Sequence, residues 1–505
     1  GNSIIAGGNY NTIVGDAAGT AITTGTYNSF LGMSAGDAFT DADYNVAVGA
    51  FALSTDTRGS SSVAIGTSAL AIQNFTSATS AYNTAVGHEA GKSVTTGIKN
   101  TLIGGIAGDA LNTGSYNVAV GMQALSADTK GQKNVAIGQG ALESQNFTSA
   151  TDSYNTAVGH FAGGNITTGI NNTLIGGLAG DALTDADSNT AIGYNTLTSN
   201  TVASACTAVG SGALYFHNVT SAAQTFNTAV GYDAGNQVTT GTHNTLIGGL
   251  AGDAITTASS NTAVGSQALT TNTTGADNAA LGRRSLNSNT TGSNNTGLGL
   301  QALYSNTTAS NNTAVGESAL FANTASDNTA VGRRSLNSNT TANQNTAVGG
   351  NAGYSITTAP FNTAVGYNAL ATNTTGDGRN TAIGRHALTD LTTGYYNTAV
   401  GMNAGESVTT GLYNTIVGGL AGDAMTSASY NTAVGYAALS ADNTGAENTA
   451  MGYAALLSNT TGIRNTAVGK NALDASTTGI RNTAVGQSAG ALITTGDGNT
   501  ILGER

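Results

Sequence analysis

Hydrophobic and polar residues alternate in a short phrase that recurs along the chain. The stretch NTAVGHEAGKSVTTG at 83–97 returns with few changes at 155–169, 227–241 and 397–411. Its segment T-A-V alternates with period two, which is typical of a short β-strand. Interior Gly, Thr-Thr and Asn oppose a helix. The pattern therefore predicts one short strand in each repeat.

The glycine that ends each phrase sets the repeat length. It marks 29 places from Gly15 to Gly503, and nearly every step is one 17-residue interval. Three steps are 21-residue intervals, and two differ from the usual interval by one residue, at Gly316 to Gly332 and at Gly366 to Gly384. In the first half, three intervals of 17 and one of 21 make a 72-residue super-repeat. We predict an all-β fold, a parallel β-solenoid whose coils stack about 4.8 Å apart into a rod of about 140 Å.

Numbering each coil from that glycine as position 0 separates the expected core from the expected surface. Position 3 is Ala or rarely Ser or Thr, position 16 is aliphatic or Met, and position 13 is Asn except at Ser62 and Cys206. Stacked Asn amides are expected to bond to one another. Glycines at positions 0 and 10 are expected to supply positive φ at corners. Strand alternation puts Ala at position 15 inside and position 16 outside.

Positions 4 and 7 change together. Where position 4 is Leu in a 17-residue coil, position 7 is usually Asp or Asn, as with Leu53 and Asp56. Where position 4 is Gly, position 7 is large and apolar, as with Gly91 and Val94. Because protein interiors are close-packed, we interpret the swap as one large side chain per coil, supplied from either of two places.

Composition and charge narrow the function classes. Only 8% of the 505 residues are charged, 71 are Gly and one is Pro, whereas disordered chains are usually rich in charge and Pro. The formal net charge is -12, and no basic cluster indicates a nucleic-acid partner. No apolar run approaches a membrane span. The single cysteine, Cys206, excludes an intrachain disulfide framework.

The repeat pattern divides the chain into two predicted regions. Residues 1–248 are expected to form a β-solenoid with 72-residue super-repeats and three insertion loops. Residues 249–505 are expected to form a β-solenoid of regular 17-residue coils. The chain starts without Met and stops just after a repeat has begun, so we interpret it as part of something longer.

The phrases YNTAVG, NVAIG and NTAIG resemble the head repeats of trimeric autotransporter adhesins, the YadA-like left-handed parallel β-roll. They are also similar to the NTAxG repeats of phage and viral tail fibres. The resemblance extends from about Asn11 to Gly503. It implies a left-handed, trimeric, extracellular fibre, whereas the periodicity alone indicates only a solenoid. Neither a coiled-coil stalk nor a chaperone domain is recognisable in the sequence.

Two sets of residues are candidates for recognition. The insertions QNFTSAT at 73–79 and 145–151 and HNVTSAA at 217–223 are expected to leave the solenoid as loops, where binding residues tend to lie. Each carries a glycosylation sequon, at Asn74, Asn146 and Asn218. The stretch GRRSLNSNTT occurs twice, at 282–291 and 332–341. Its arginines are a candidate stripe for binding an anionic ligand, or else ordinary solvated charges: Arg283, Arg284, Arg333 and Arg334.

The remaining motifs do not indicate catalysis. GGLAGDA lacks the P-loop lysine, and its aspartates recur only every fourth coil, so we interpret it as corner geometry. No His pair has metal-ligand spacing. We therefore expect no enzyme, no cofactor and no metal.

The predicted function is a structural fibre or adhesin segment at a cell or virion surface. It would associate with itself as a homotrimer and present a binding end, with a cell-surface glycan or receptor as its further partner. Two alternatives stay open. One is a spike that cleaves polysaccharide, and the other is an ice-binding solenoid that uses the threonines at positions 8, 9 and 14.

Overall fold

The computed structural model describes residues 10–504 and is all-β, with strands, turns and bends but no helix among those residues. The chain divides into two compact units, 1–258 and 259–505. In each unit, parallel strands that recur once in every 17-residue coil stack in register to build a β-solenoid, about 29 turns in total. The predicted fold class is confirmed.

In the first unit the strands are β1 (Thr12–Val14), β2 (Ser29–Leu31), β3 (Val46–Val48), β4 (Gly59–Ser60), β5 (Val63–Ile65), β6 (Thr79–Ser80), β7 (Thr84–Val86), β8 (Thr101–Ile103), β9 (Val118–Val120), β10 (Gly131–Gln132), β11 (Val135–Ile137), β12 (Thr151–Asp152), β13 (Thr156–Val158), β14 (Thr173–Ile175), β15 (Thr190–Ile192), β16 (Ala203–Ser204), β17 (Thr207–Val209), β18 (Ala223–Gln224), β19 (Thr228–Val230) and β20 (Thr245–Ile247).

In the second unit the strands are β21 (Thr262–Val264), β22 (Ala279–Leu281), β23 (Thr296–Leu298), β24 (Thr313–Val315), β25 (Thr329–Val331), β26 (Thr346–Val348), β27 (Thr363–Val365), β28 (Thr381–Ile383), β29 (Thr398–Val400), β30 (Thr415–Val417), β31 (Thr432–Val434), β32 (Thr449–Met451), β33 (Thr466–Val468), β34 (Thr483–Val485) and β35 (Thr500–Leu502).

The strands pair position by position. In β7 and β8, Ala85 lies opposite Leu102, and both occupy position 15 of their coils. Register is kept across a 21-residue coil, because Ala64 pairs with Ala85. It is also kept across the shorter coil that ends at Gly332 and the longer coil that ends at Gly384. Extra or missing residues are thus absorbed outside the strand at positions 14–16.

Strand alternation sets the core as predicted. Position 15 is buried in every strand at positions 14–16 except β1 and β35, as at Ala85 and Leu102, and Ala90 at position 3 is buried too. Position 16 lies on the outer face, where Ile103 is 39% exposed and Leu281 is 41% exposed. The expected choice of face is confirmed.

The asparagines at position 13 form a buried ladder that Ser62 and Cys206 interrupt. Asn83 Oδ1 accepts a hydrogen bond from the Asn100 backbone N–H at 2.9 Å, and Asn83 Nδ2 donates to Gly97 O at 2.8 Å. Asn100 Nδ2 also donates to Asn83 Oδ1 at 3.3 Å. The predicted amide contact is present, but each amide bonds mainly to backbone, and these bonds satisfy backbone groups that the coils bury.

The corners differ from the expectation. Position 0 requires glycine, because a Cβ on Gly87 (φ +140°) would lie 2.3 Å from Gly104 O. At position 10 the prediction of positive φ is wrong except at Gly376 in the 18-residue coil. A Cβ on Gly97 would lie 2.3 Å from Gly114 O, so close approach of the next coil, rather than φ, favours small residues there. Positive φ also occurs at positions 2, 4 and 12. Most residues there are not glycine, such as Tyr116 at position 12 with φ 63°.

The swap between positions 4 and 7 involves more side chains than two. A Cβ on Gly163, at position 4, would lie 3.0 Å from Ile166 Cδ1 at position 7, as the swap implies. It would also lie 2.7 Å from Leu174 at position 15 and 3.1 Å from Leu142, the position-4 leucine of the preceding coil. The space left by glycine is therefore filled by three side chains, which come from its own coil and the preceding one.

Candidate functional site

The outer face of the strands carries a column of aliphatic side chains at position 16, the apolar column. About half of its members are half-buried, as at Val48 and Val86. The others are more than a third exposed, and they occur in both units: Val14, Leu31, Ile65, Ile103, Ile137, Ile175, Ile247, Leu281, Val331, Val348, Ile383, Met451, Val485 and Leu502. Beside them on the same face lie the position-14 residues, mostly threonines that are half-buried. In-register pairing repeats this composition on each coil, so the column is a continuous apolar stripe within each unit. Such stripes mark interaction surfaces.

Aromatic side chains at position 12 form a second column, the aromatic column. Tyr10, Tyr27 and Tyr44 stack with ring centroids 4.9 and 5.1 Å apart. These rings are exposed, at 74, 49 and 60%. Rings on adjacent coils stack because the coil spacing is close to the distance preferred by offset-stacked rings.

In the second unit the aromatic column includes a cation. The Arg379 guanidinium lies 5.0 Å from the Phe361 ring centroid and 5.3 Å from that of Tyr396. Tyr413 continues the stack at 5.2 Å from Tyr396, and Tyr430 follows at 5.2 Å from Tyr413. An arginine can take a place between rings because its planar cation is attracted to their faces. An arginine can therefore replace an aromatic residue in the aromatic column without changing the distance between neighbouring groups.

Three insertion loops leave the first unit at the 21-residue coils. Each is flanked by a two-residue strand pair, β4 with β6, β10 with β12 and β16 with β18. Phe75 and Phe147 anchor the first two loops and are only 6% exposed. Residues 76–78, 148–150 and 220–224 are exposed. These exposed residues form the tips of the three loops.

The sequon asparagines lie at the base of the loops rather than at their tips. Asn146 and Asn218 are exposed, and Asn74 is half-buried. In each case the side-chain Oδ1 accepts a hydrogen bond from a threonine of the preceding coil, at 3.2 Å for Asn74, 3.0 Å for Asn146 and 2.9 Å for Asn218. Glycosylation or recognition at these residues stays a prediction.

Behind each of the first two loops lies a buried acid–amide pair. Gln73 Nε2 donates to Asp56 Oδ2 at 2.6 Å, and Gln145 Nε2 donates to Asp128 Oδ2 at 2.7 Å. The other carboxylate oxygen of Asp56 accepts the Gly59 backbone N–H at 2.9 Å. Burial raises the pKa of both aspartates, and the hydrogen bonds oppose part of that rise.

The third loop has a different buried cluster. Thr225 Oγ1 lies 2.9 Å from Cys206 Sγ and 3.0 Å from His217 Nε2. Burial lowers the pKa of His217 to about 4 and raises the pKa of the Cys206 thiol. Both groups are therefore neutral at neutral pH, and both are closed off from solvent. Such a cluster packs the coil rather than offering a reactive thiolate.

The arginine pairs lie at positions 1 and 2. Arg283, Arg333 and Arg334 are exposed, and Arg284 is half-buried with its Nε donating to Gln267 Oε1 at 2.8 Å. In the column between Arg283 and Arg333 stand Leu300 and Glu317, and Glu317 lies 3.4 Å from Arg333 Nε. The structure thus places an acid within the candidate stripe.

The glycines of GGIAGDA at 104–110 lie at turns of the coil. Gly104 and Gly108 have positive φ, and Gly105 faces open space. Asp109 Oδ1 is buried and accepts no hydrogen bond, and burial raises the pKa of Asp109. Between residues 10 and 504, the structure gathers no three His, Cys, Asp or Glu side chains into a metal-binding group.

The threonines at position 8 use their hydroxyls within the fold. Thr40 Oγ1 donates to Thr57 O at 3.1 Å, and Thr290 Oγ1 donates to Thr307 O at 3.1 Å. Hydroxyls occupied in this way present less hydrogen-bonding capacity to solvent than the ice-binding alternative assumes.

Two further findings bear on identity. Within the described part of the chain, no helix is long and apolar enough to cross a bilayer. No protein-family model matches the sequence, and no curated protein matches it either. The resemblance to adhesin heads and tail fibres therefore stays a hypothesis that rests on the repeated phrase.

Sequence reasoning missed the aromatic column and the polar side chains buried at position 7. The signal for the first was present, because Tyr10, Tyr27 and Tyr44 recur at the coil interval. Its meaning depends on in-register stacking, which turns residues of equal coil position into neighbours.

Proposed function

We propose that the chain is a structural segment of an extracellular fibre, at a cell or virion surface, that assembles as a homotrimer and presents adhesive surfaces to a glycan or receptor. The apolar column carries this proposal. A continuous apolar stripe on a soluble protein is normally covered by a partner. Three copies of one chain packed around a common axis would cover it, and the same contact would repeat on each coil.

The hydrogen bonding of the coil also suits a mechanical role. The Asn ladder and the strand hydrogen bonds give partners to buried amides and backbone groups along each unit. Hydrogen-bonded coils that contact only their neighbours build length without a large globular core.

The proposal is tested by light scattering on the folded chain. We expect a mass of three times the 49.6 kDa of one chain. Lysine substitutions at Val331, Val348 and Ile383 should weaken assembly, because each would put a charge into the buried centre of the trimer. Lysine substitutions at the exposed Thr341, Thr358 and Thr393 serve as the matched control. A folded wild-type chain with the mass of one protomer would refute the trimer.

A further inference from the structure

Position 1 of the coils carries a set of exposed tyrosines. In the second unit, Tyr436 and Tyr453 occupy this position on adjacent coils, and their rings stack with centroids 5.5 Å apart and planes 15° apart. Both rings are about half exposed, at 49 and 54%. Adjacent tyrosines at position 1 therefore place one ring on each coil, in a stack that solvent reaches from the side.

The first unit holds the same arrangement with one ring missing. Position 1 of three successive coils is Tyr194, Ser211 and Tyr232. The two tyrosines are 58 and 63% exposed, and Ser211 has no ring to fill the place between them. An open groove of about 320 Å³ lies here and is lined by all three residues. Its two tyrosines are separated by two coil spacings, roughly 9.6 Å, which leaves room for one inserted ring.

Polar and apolar groups complete the groove. Phe216 lines it and is 43% exposed, with its ring edge-on to Tyr215 at 4.6 Å. Asp233 and Asn236 supply a carboxylate and an amide, and Asn236 Nδ2 donates to Asp233 Oδ1 at 3.2 Å. Gly212 makes space for that carboxylate, because a Cβ there would lie 2.0 Å from Asp233 Oδ1.

We propose that this groove binds one pyranose ring of an uncharged glycan, seated between Tyr194 and Tyr232. A pyranose has apolar C–H faces that pack on aromatic rings, and hydroxyls at its rim that donate to a carboxylate and exchange hydrogen bonds with an amide. Concave sites with aromatic walls and a few polar groups are typical of small-molecule binding. Asp233 disfavours an anionic sugar, as does the surrounding chain, which has 5 basic and 16 acidic residues up to Gly282.

The site belongs to the third insertion coil alone among the three. At the corresponding places one super-repeat earlier stand Met122, Gln139 and His160. Two super-repeats earlier stand Ala50, Thr67 and His88. Neither set has two rings with a small residue between them. This inference rests on the proposed function for its setting, since a glycan site serves a fibre that meets a surface.

Saturation-transfer NMR on the full chain tests the groove. The probes are the methyl pyranosides of glucose, galactose, mannose and N-acetylglucosamine, with methyl glucuronide as the anionic comparison and phenol as the aromatic one. We expect transfer to at least one neutral pyranoside and none to the glucuronide. The Ser211→Tyr substitution should raise the Kd for that neutral pyranoside at least tenfold, because the new ring fills the space between Tyr194 and Tyr232. Tyr232→Ala should do the same by removing a wall.

Ser266→Tyr is the matched control, because it adds the same ring at position 1 of a coil outside the groove. Unchanged binding by that variant, with light-scattering mass and circular dichroism like wild type in all variants, supports the assignment. Transfer to phenol alone, no transfer to any neutral pyranoside, or full binding by Ser211→Tyr would overturn it. Because chain mass is measured separately, loss of the glycan site and failure of the trimer are distinguishable.

Discussion

The two units use one coil design but bury their position-7 polar side chains in different ways. The first unit pairs an acid with a longer amide, as in Asp56 with Gln73 and Asp128 with Gln145. The second unit stacks five asparagines on consecutive coils, and each amide donates to the one before it, at 2.9, 2.9, 3.4 and 2.7 Å along Asn272, Asn289, Asn306, Asn323 and Asn339.

The difference follows from the insertion loops. In a regular coil, an Asn at position 7 also donates to the carbonyl at position 10, as Asn289 does to Gly292 O at 2.9 Å. In a 21-residue coil the loop replaces that nearby carbonyl. Gln145 is long enough to reach Asp128 on one side and to accept from Asn155 Nδ2 at 2.8 Å on the other. A departure from the repeat thus requires a compensating polar pair.

The largest effect is expected from breaking an acid–amide pair. Gln145→Leu removes the side-chain donor to Asp128 and leaves a buried carboxylate short of one hydrogen bond. We expect a loss of about 3 kcal/mol in local stability. Hydrogen exchange at the amides of Gly131 and Phe147, which donate to Asp128 at 2.9 and 3.3 Å, measures it.

The control for this change is the double variant Asp128→Asn with Gln145→Leu. The introduced asparagine side chain keeps an Oδ1 acceptor for the Gly131 and Phe147 amides and leaves no buried charge, so we expect protection closer to wild type than in the single variant. Equal exchange in the single variant and in wild type would contradict the role given to the pair.

A smaller effect is expected at Asp442, the acid buried at position 7 in the second unit. Its Oδ1 accepts the Gly445 N–H at 2.7 Å, and burial raises its pKa to about 7. The folded state therefore holds this proton at pH values where the unfolded chain, with the usual pKa of 3.8, has lost it. The stability contribution is complete below about pH 4 and is lost as the pH rises through about 7.

Asp442→Asn should flatten this pH dependence. At pH 8 the variant should gain about 2 kcal/mol, because no charge is buried, while the amide nitrogen takes the place of an oxygen that has no hydrogen-bond partner and so offsets part of the gain. Denaturation followed at pH 5 and pH 8 checks the prediction. Asp56→Asn is the comparison and should gain less, because Gln73 already donates to that carboxylate. A parallel pH profile for Asp442→Asn and wild type would count against the assigned cause.

The smallest effect is expected from interrupting the amide ladder. Asn306→Leu removes the donor to Asn289 Oδ1 at 2.9 Å and the acceptor of Asn323 Nδ2 at 3.4 Å. We expect a loss of about 1–2 kcal/mol, less than at Gln145, because neutral amides are cheaper to leave unpaired than a carboxylate. Thermal unfolding compared with Thr308→Leu, at an exposed threonine of the same coil, measures it. A loss greater than that of Gln145→Leu would reverse the ranking of the two units.

The features that depend only on the local alternation of side chains could be predicted from the sequence. The strand at positions 14–16, the inward Ala85 and the outward Ile103 follow from period two and burial alone. The acid–amide pairs did not follow, because Asp56 and Gln73 become neighbours only after the coils stack. The corners at positions 2 and 12 were also missed, because residues such as Glu89 and Tyr116 have no intrinsic preference for positive φ.

The candidate surfaces were predictable to different degrees. The apolar column was expected from the strand face, and the insertion loops from the longer intervals. The groove at Tyr194, Ser211 and Tyr232 was not, since it depends on an absent ring between two present ones. Only knowledge of which residues share a column shows that gap.

Equivalent positions of successive coils pair in register, and this has a consequence for how the gene can change in length. Removing any whole 17-residue coil would join one position-0 glycine to another and leave both neighbouring strands in register. Removing one residue fewer would turn outward side chains inward unless a turn absorbed the change. Near-identical stretches such as 83–97 and 155–169 also favour unequal recombination between gene copies. Related genes are therefore expected to differ in length by whole coils or by whole 72-residue blocks, with the composition of every column carried over.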